Sequence, residues 1–448
     1  MIRIAQDGLQ CRRIMLNIKI FIERQLLQIQ KGGIAALSRK MKLSWQILLK
    51  WSLYILTIPF AIAFVLVVRI IRPWLLVRWE SLNSGTIGHF AANTELCLCE
   101  RDAGINVPKK RYVDLFYMNY KPFCNQQLAI MWKRVLRVWP SWILSSGSFV
   151  NRLIPGGAVH EIGNNTGYDR DVLNLLESSA PHLKFNEEEE KKGYAELIKM
   201  GIPQNAKYVC IHARGPAYEK MVNPTNDCYF NNCRNSDISN FVQAAELLAE
   251  QGYYVVRMGS KPEKALDSNN PRIIDYASLY RSDFMDIFVA ANCHFYIGDG
   301  CGINAIPYIF RRPVAATNTV PLGHAWTYNK SYLFIHKKHW LAKEARFMTY
   351  EEIFNSGAGL FLDTRKYDQY GINLIENTPE EIAELANEMI KRLNGTWQPH
   401  ADDETLQRRF WDIFPTNAVD AYQGRPLHGE IRARIGAYFL RNNRDWLQ

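Results

Sequence analysis

From Gly201 onward, short β-branched or apolar runs alternate with stretches whose apolar positions recur every three to four residues. Tyr208-Val209-Cys210-Ile211 reads as a buried strand. A helix capped by Ser236 or Asp237 follows, with Phe241, Ala244, Ala245, Leu247 and Leu248 on one face and Gly252 at its end. Tyr253 to Met258 is a second strand, stopped by Gly259, and Arg272-Ile273-Ile274 is a third. Asp283 opens a helix through Phe284, Ile287, Phe288 and Ala290, and Phe295-Tyr296-Ile297 is a fourth strand. The turn Gly298 to Gly302 leads into another helix, and Val314-Ala315-Ala316 is a fifth strand. This alternation predicts an α/β fold with a parallel sheet covered on both faces, whose ligands bind beyond the carboxyl ends of the strands.

The pattern before Gly201 is less regular. Ser84-Gly85-Thr86-Ile87-Gly88-His89 is a small-residue turn entering a helix, and Asp171 to Glu177 begins another amphipathic helix. Glu187 to Glu190 open a helix through Tyr194, Leu197 and Ile198, where their charge favours the positive end of the helix dipole. Earlier still, Trp51 to Val68 run for 18 residues without a charge. As a helix that run is about 27 Å long, close to the thickness of a bilayer core. Arg69-Ile70-Ile71-Arg72 follow with no small-residue cleavage site, so residues 51–71 read as a retained membrane segment rather than a signal peptide. Two topologies fit: a crossing helix, or a segment broken at Pro59 that dips into one leaflet.

Composition narrows the class. At 448 residues, 48% hydrophobic and 22% charged, the chain can bury a core, which excludes a disordered or fibrous protein. The formal charge of +10 is not spread evenly. Residues 1–80 hold thirteen Lys and Arg against Asp7, Glu23 and Glu80, an excess of ten, so the rest of the chain is neutral. Positive charge confined to one end beside an apolar segment points to anionic lipid and away from nucleic acid. Nine cysteines without a Cys-x-x-Cys pair give neither a zinc framework nor a disulfide scaffold. Reduced thiols are expected, although Cys228 and Cys233 could pair in an oxidising compartment.

The residues just after each strand carry the candidate chemistry. His212-Ala213-Arg214-Gly215 place a guanidinium where it can grip a phosphate, and Arg234 and Arg257 lie near the same edge. Gly298 to Gly302 can turn backbone N–H groups on an anion, with Asp299 or Asn304 free to orient a sugar hydroxyl. Asp275 and Tyr276 can meet a ribose or base edge, or Asp275 can simply cap a turn. His89 is a candidate general base. Asp169-Arg170-Asp171 has the spacing of a metal–nucleotide site but fits helix capping better. No Gly-x-Gly-x-x-Gly follows the first strand and no Gly-x-x-x-x-Gly-Lys exists, which argues against a dinucleotide oxidoreductase or a P-loop enzyme.

The succession His212-Ala213-Arg214, Arg234-Asn235-Ser236-Asp237, Gly252 to Gly259, Ile274-Asp275-Tyr276, the helix from Asp286 and Phe295 to Gly302 resembles a family of bacterial surface-polysaccharide glycosyltransferases. Gly88-His89, Asp114-Leu115-Phe116-Tyr117 and Asn125-Gln126 fit it too. That family is similar to the O-fucosyltransferase-like branch of GT-B enzymes, whose His-x-Arg motif falls on His212 and Arg214. Where that branch often has hydroxyl residues in the late phosphate loop, this chain has Gly300 and Cys301.

The resemblance implies a GT-B-like fold: two Rossmann-like domains with a cleft between them, plus the N-terminal membrane-associated helical segment. On that expectation residues 1–80 are the basic region containing the apolar segment, 81–200 the acceptor-side domain, 201–400 the donor domain, and 401–448 helices packing back across both. The expected catalytic groups are His89, Arg214 and Asp299. The donor-binding groups are His212, Arg214, Arg234, Arg257, Gly259, Asp275, Tyr276, Gly300, Cys301, Gly302 and Asn304. No metal and no cofactor are expected. The partners are a nucleotide-sugar donor as substrate, a glycan or lipid-linked acceptor and an anionic membrane surface, at the cytoplasmic face of the bacterial inner membrane. The alternatives are a non-catalytic carbohydrate-binding or scaffold protein of the same fold, and a type II glycosyltransferase of a secretory compartment.

Overall fold

The computed structural model describes residues 56–448 apart from 121, 164–168, 223–226 and 421–423, with isolated positions before 56. Most of the basic N-terminal region and the start of the 51–71 segment therefore lie outside the described residues. The chain divides into two compact units, Met1–Pro73 with Pro140–Ala158 and Trp74–Trp139 with Val159–Gln448.

In the first unit a helix over 56–71 (α1) packs with a helix that the apolar pattern did not single out, and the two share a small core of Ala61, Val65 and Val150. Among the described residues no helix is long and apolar enough to cross a membrane.

The second unit begins with a parallel pair, β1 (Leu76–Leu82) and β2 (Tyr112–Met118), joined by α2 (Ile87–Asp102). Single parallel bridges, Trp79 to Glu161 and Phe116 to Val138, extend this pair at both edges. Strand β1 thus starts before Ser81. α3 (Gln126–Val135) follows, capped by the Asn125 side chain, which accepts from the Leu128 N–H; the helix of the first unit, Ser141–Leu153, is α4. The amphipathic pattern from Asp171 yields only one helical turn, Leu175–Ser178. The Asp171 carboxylate accepts the Leu175 and Leu176 N–H groups at 2.7 and 3.0 Å, which is the capping role expected of it. The acidic run does open a helix, Glu187–Lys199, closed by a capping box of Asn186 and Glu189.

The main sheet has seven parallel strands. In chain order they are β3 (Tyr208–His212), β4 (Tyr254–Arg257), β5 (Ile273–Ile274), β6 (Phe295–Asp299), β7 (Val314–Thr319), β8 (Tyr332–His336) and, later, β12 (Arg434–Ile435). A small antiparallel sheet of β9 (Lys338–Leu341), β10 (Arg346–Phe347) and β11 (Ile372–Ile375) lies between β8 and β12 in sequence. The spatial order of the large sheet is β12-β8-β7-β6-β3-β4-β5. Successive strands step one way from β3 to β5, then resume on the other side of β3 with β6. The winding therefore reverses between β3 and β6, the place where doubly wound sheets bind ligands.

Val209, Cys210 and Ile211 are all fully buried, because helices cover both faces of β3. The helix Val242–Glu250 presents Ala244, Ala245 and Leu248 to this core, and Pro379–Leu393, with a capping box of Thr378 and Glu381, lies beside it. Gly298 lets β6 approach β3 this closely, since a Cβ there would stand 2.4 Å from the His212 carbonyl oxygen. The predicted C-terminal helix is Asp403–Ile413, and the apolar stretch near Ile431 to Leu440 becomes β12 followed by the helix Ala437–Asn442.

Candidate functional site

A cavity of about 1700 Å³ opens at the carboxyl ends of β3 and β6. One wall is made by the loops after β3, β4, β6 and β7. The other is made by the turn Gly85–His89 and by Asp169 and Arg170. The walls touch where the turns meet: a Cβ on Gly88 would lie 3.0 Å from the Gly302 Cα, and one on Gly302 only 2.9 Å from Ile87. Both positions need glycine for that approach.

Of the residues named from sequence, His89, His212, Arg214, Arg234, Arg257, Gly259, Gly300, Cys301, Gly302 and Asn304 line this cavity. Asp299, Asp275 and Tyr276 do not. Asp299 is buried, and its carboxylate accepts from the Arg214 backbone N–H (2.9 Å), the Ser236 hydroxyl, the Thr317 hydroxyl (2.9 Å) and the Asn318 amide (2.9 Å). From the end of β6 it ties the segment after β3 to β7, and it is a positioning residue, not the catalytic group expected above. Asp275 receives the Arg257 guanidinium (2.9 Å), the Ser278 hydroxyl (2.7 Å) and the Leu266 N–H (3.1 Å). Tyr276 is buried with its hydroxyl on Asp286 at 2.8 Å. Neither reaches a ligand in the cavity.

The arginines differ in how far they are already neutralised. The Arg214 guanidinium holds Glu219 at 2.8 Å and donates to the Asn231 carbonyl and the Asn235 side chain. Arg257 is buried against Asp275. Arg234, by contrast, donates to the Gly300 carbonyl at 2.8 Å and has no carboxylate partner among the described residues. Burial lowers its pKa, and the nearby Arg214 lowers it further. Two guanidiniums held this close in a partly dry site favour an anion between them. Beside them, the amide hydrogens of Gly300, Cys301 and Gly302 have no acceptor among the described residues. The amide of Asn304 does not join them, because it donates to the Cys301 carbonyl at 3.2 Å.

A chain of polar contacts fixes the proton on His212. The Asn304 Nδ2 donates to the Asp299 carbonyl at 2.8 Å, which turns its Oδ1 to the Cys301 thiol at 3.1 Å. Burial pushes that thiol up to about 11, so it keeps its proton and donates it to Asn304. The sulfur, 3.3 Å from His212 Nδ1, then accepts from the ring, leaving the lone pair on Nε2. Burial also holds the imidazole down to about 4, against the pull of Asp299, so it is neutral near pH 7. His212 offers an acceptor, which suits a hydroxyl better than a phosphate.

On the opposite wall, His89 Nδ1 lies 3.4 Å from Asn93 Oδ1 and 3.7 Å from Asp169 Oδ2. Asp169 was read as a cap from sequence; only its neighbour Asp171 caps. Arg170 reaches the His324 carbonyl at 2.9 Å and the Ala325 carbonyl at 3.4 Å. His324, a cavity residue that the sequence reading passed over, is held down to about 4 by burial and by Arg170. It lies just past β7, so extending that strand from Ala316 to Thr319 would have exposed it.

Away from the cavity, ligand-type atoms of Glu95, Cys99 and His182 lie within 4.8 Å of one another. Cationic groups already fill that space: Arg311 sits 2.7 Å from Glu95, and His182 bridges Glu95 (3.1 Å) and Asp102 (2.9 Å). Burial opposes charge on His182, but contacts with Cys99, Glu95 and Asp102 raise it to about 10.

No family model and no curated protein matches the chain. Among solved structures it is similar to the ADP-heptose lipopolysaccharide heptosyltransferase II of E. coli, with a TM-score of 0.42 and 12% identity over 71% of this chain and 100% of that one. It is similar to a family 9 glycosyl transferase of Veillonella parvula, with a TM-score of 0.39 and 10% identity over 71% and 98%. It is also similar to the E. coli heptosyltransferase WaaC with ADP, with a TM-score of 0.30 and 10% identity over 58% and 91%. None of these three is named an O-fucosyltransferase.

Proposed function

We propose that this protein is a glycosyltransferase that moves a sugar, of hexosyl or fucosyl type, from a nucleotide-sugar donor to a glycan or lipid-linked acceptor. One observation carries the reading. At the reversal point of a doubly wound sheet, an arginine without a carboxylate partner among the described residues and three unengaged amides line one cavity, facing a histidine beside a carboxylate. Breaking a glycosyl–phosphate bond puts negative charge on the departing diphosphate. Arg234, with Arg214 behind it and the amides of Gly300 to Gly302, meets that charge where it develops.

His89 would take the acceptor hydroxyl proton on Nε2, while Nδ1–H faces Asn93 and Asp169 and the carboxylate stabilises the imidazolium. His212 Nε2 would accept from a ribose or sugar hydroxyl. Residues 81–200 serve as the acceptor side, 201–400 as the donor side, and 401–448 brace them. The basic N-terminal region would hold the enzyme on anionic lipid at the cytoplasmic face of the bacterial inner membrane, where such donors are made.

A thermal-shift series with GDP, UDP, CDP, ADP and their sugars tests this. A donor at 100 times its dissociation constant stabilises the protein by about 2.7 kcal/mol. Arg234→Ala is expected to weaken that binding roughly 10- to 100-fold, the size of a lost charge-assisted contact. If no nucleotide shifts the melting temperature, or if the variant binds like the parent, the proposal fails and a non-catalytic protein of this fold is left.

A further inference from the structure

The unit formed by Met1–Pro73 and Pro140–Ala158 keeps only a small core and turns most of its large apolar groups outward. Where α1 and α4 meet, the small core of Ala61, Val65 and Val150 is flanked by small and polar groups. The Thr57 and Ser146 hydroxyls hydrogen-bond at 2.6 Å. Gly147 lies against the Phe64 ring, where a Cβ would come within 3.2 Å. Arg69 donates to Asn151 Oδ1 (2.9 Å) and to the Ile154 and Pro155 carbonyls (3.0 and 2.8 Å). The outward faces are apolar: Phe60, Leu66, Val67 and Ile70 on α1, Trp142 and Leu153 on α4. Phe60 and Leu153 are each 68% exposed. In water this arrangement leaves a set of large apolar groups exposed. Helices in lipid associate in just this manner, with small residues and hydrogen bonds at the seam and apolar groups outside.

We infer that α1 and α4 together form a wedge that inserts its outer face among the acyl chains of one leaflet of an anionic membrane and returns to the side it came from. This deepens the membrane attachment proposed above by naming the surface and its depth, and it is independent of the chemistry in the cavity. Connectivity fixes the side. Trp139 and Val159, which flank the α4 excursion, belong to the same compact unit. α4 has 13 residues, about 20 Å of helix, against a hydrocarbon core of roughly 30 Å. The five residues 154–158 span at most about 17 Å when extended, too little to lead a crossed chain back. Charge agrees with an anionic leaflet: Arg72 and Arg152 are exposed at helix ends, and residues 1–50 carry ten Lys and Arg against two acidic residues.

Flotation of the purified full chain with phosphatidylglycerol–phosphatidylethanolamine vesicles, and with phosphatidylcholine vesicles, tests the inference. The double variant Trp142→Glu, Leu153→Glu is expected to lose vesicle binding about tenfold or more, with its melting temperature and nucleotide-induced shift unchanged. Ile198→Glu, which alters an exposed apolar residue of the other unit, should float like the parent. Weaker flotation with the phosphatidylcholine vesicles supports the anionic preference. A double variant that floats like the parent overturns the inference. So does one that floats normally but no longer self-associates in lipid-free solution, which would make the face a contact between copies. Labelling of Phe149→Cys from the outside of intact cells would establish a crossing and overturn it as well.

Discussion

Around Asp299, at the end of β6, the segment after β3 and strand β7 are fastened by four hydrogen bonds to one buried carboxylate. Across the cavity, His89 and Asp169 stand partly exposed, 49% and 36%, at 3.7 Å from each other. One wall is bound together by hydrogen bonds to a buried group, and the other presents partly exposed side chains. Under the proposed function the difference would suit two tasks. A diphosphate always has the same shape and charge, so rigid donors lose nothing by being fixed in advance. An acceptor must enter and bring its hydroxyl to a base, and apo contacts of this kind tighten only in the complex.

The largest expected effect probes the fixed wall. Asp299→Ala leaves the Arg214 N–H, two hydroxyls and the Asn318 amide without their acceptor, and should lower unfolding stability by about 3–5 kcal/mol in equilibrium denaturation. A loss under about 1 kcal/mol would mean that this wall is no more tightly built than the other. Next comes the exposed wall. His89→Ala should cut turnover by about 10²- to 10⁴-fold while the donor-induced thermal shift persists, with Asp169→Asn doing the same to a smaller degree. Unchanged turnover in steady-state assays would remove this wall from the chemistry.

The smallest effect concerns what supports that exposed wall. His182, whose folded pKa is raised from its ordinary 6.5 to about 10, joins two carboxylates of α2. Its contribution is therefore fully present below pH 6.5 and is lost as pH rises through about 10. Melting temperature should decline across that interval, and His182→Gln should flatten the slope. A parent curve as flat as the variant's would show that His182 does not tie this wall down.

Much of the large sheet was legible because β3, β4 and β6 are apolar runs bounded by turn residues, and no tertiary contact had to override their local preference. The small sheet was not. β9 begins Lys338-His339, and both side chains are buried, Lys338 against Glu381 at 3.1 Å, so a strand interior reads as a polar surface. β8 carries the continuous run Tyr332 to Ile335, bounded by Asn329 to Ser331, and resembles its recognised neighbours; only its position past a less certain β7 hid it.

Within the site, strand-end logic found the arginines but could not rank them. Glu219, which neutralises Arg214, lies five residues on, and among the described residues no acid is paired with Arg234. The pairing of His89 with Asp169 joins residues 80 apart, which no local spacing can register.

At the meeting of Gly88 and Gly302, main chain rests on main chain with no side chain between. A spacer built from side chains can breathe as rotamers exchange; one built from two backbones cannot be shortened and lengthens only if whole segments part. The spacing of the two cavity walls is thereby gauged at a single point, and even a methyl group added there would pry the two sides open as a pebble does a hinge.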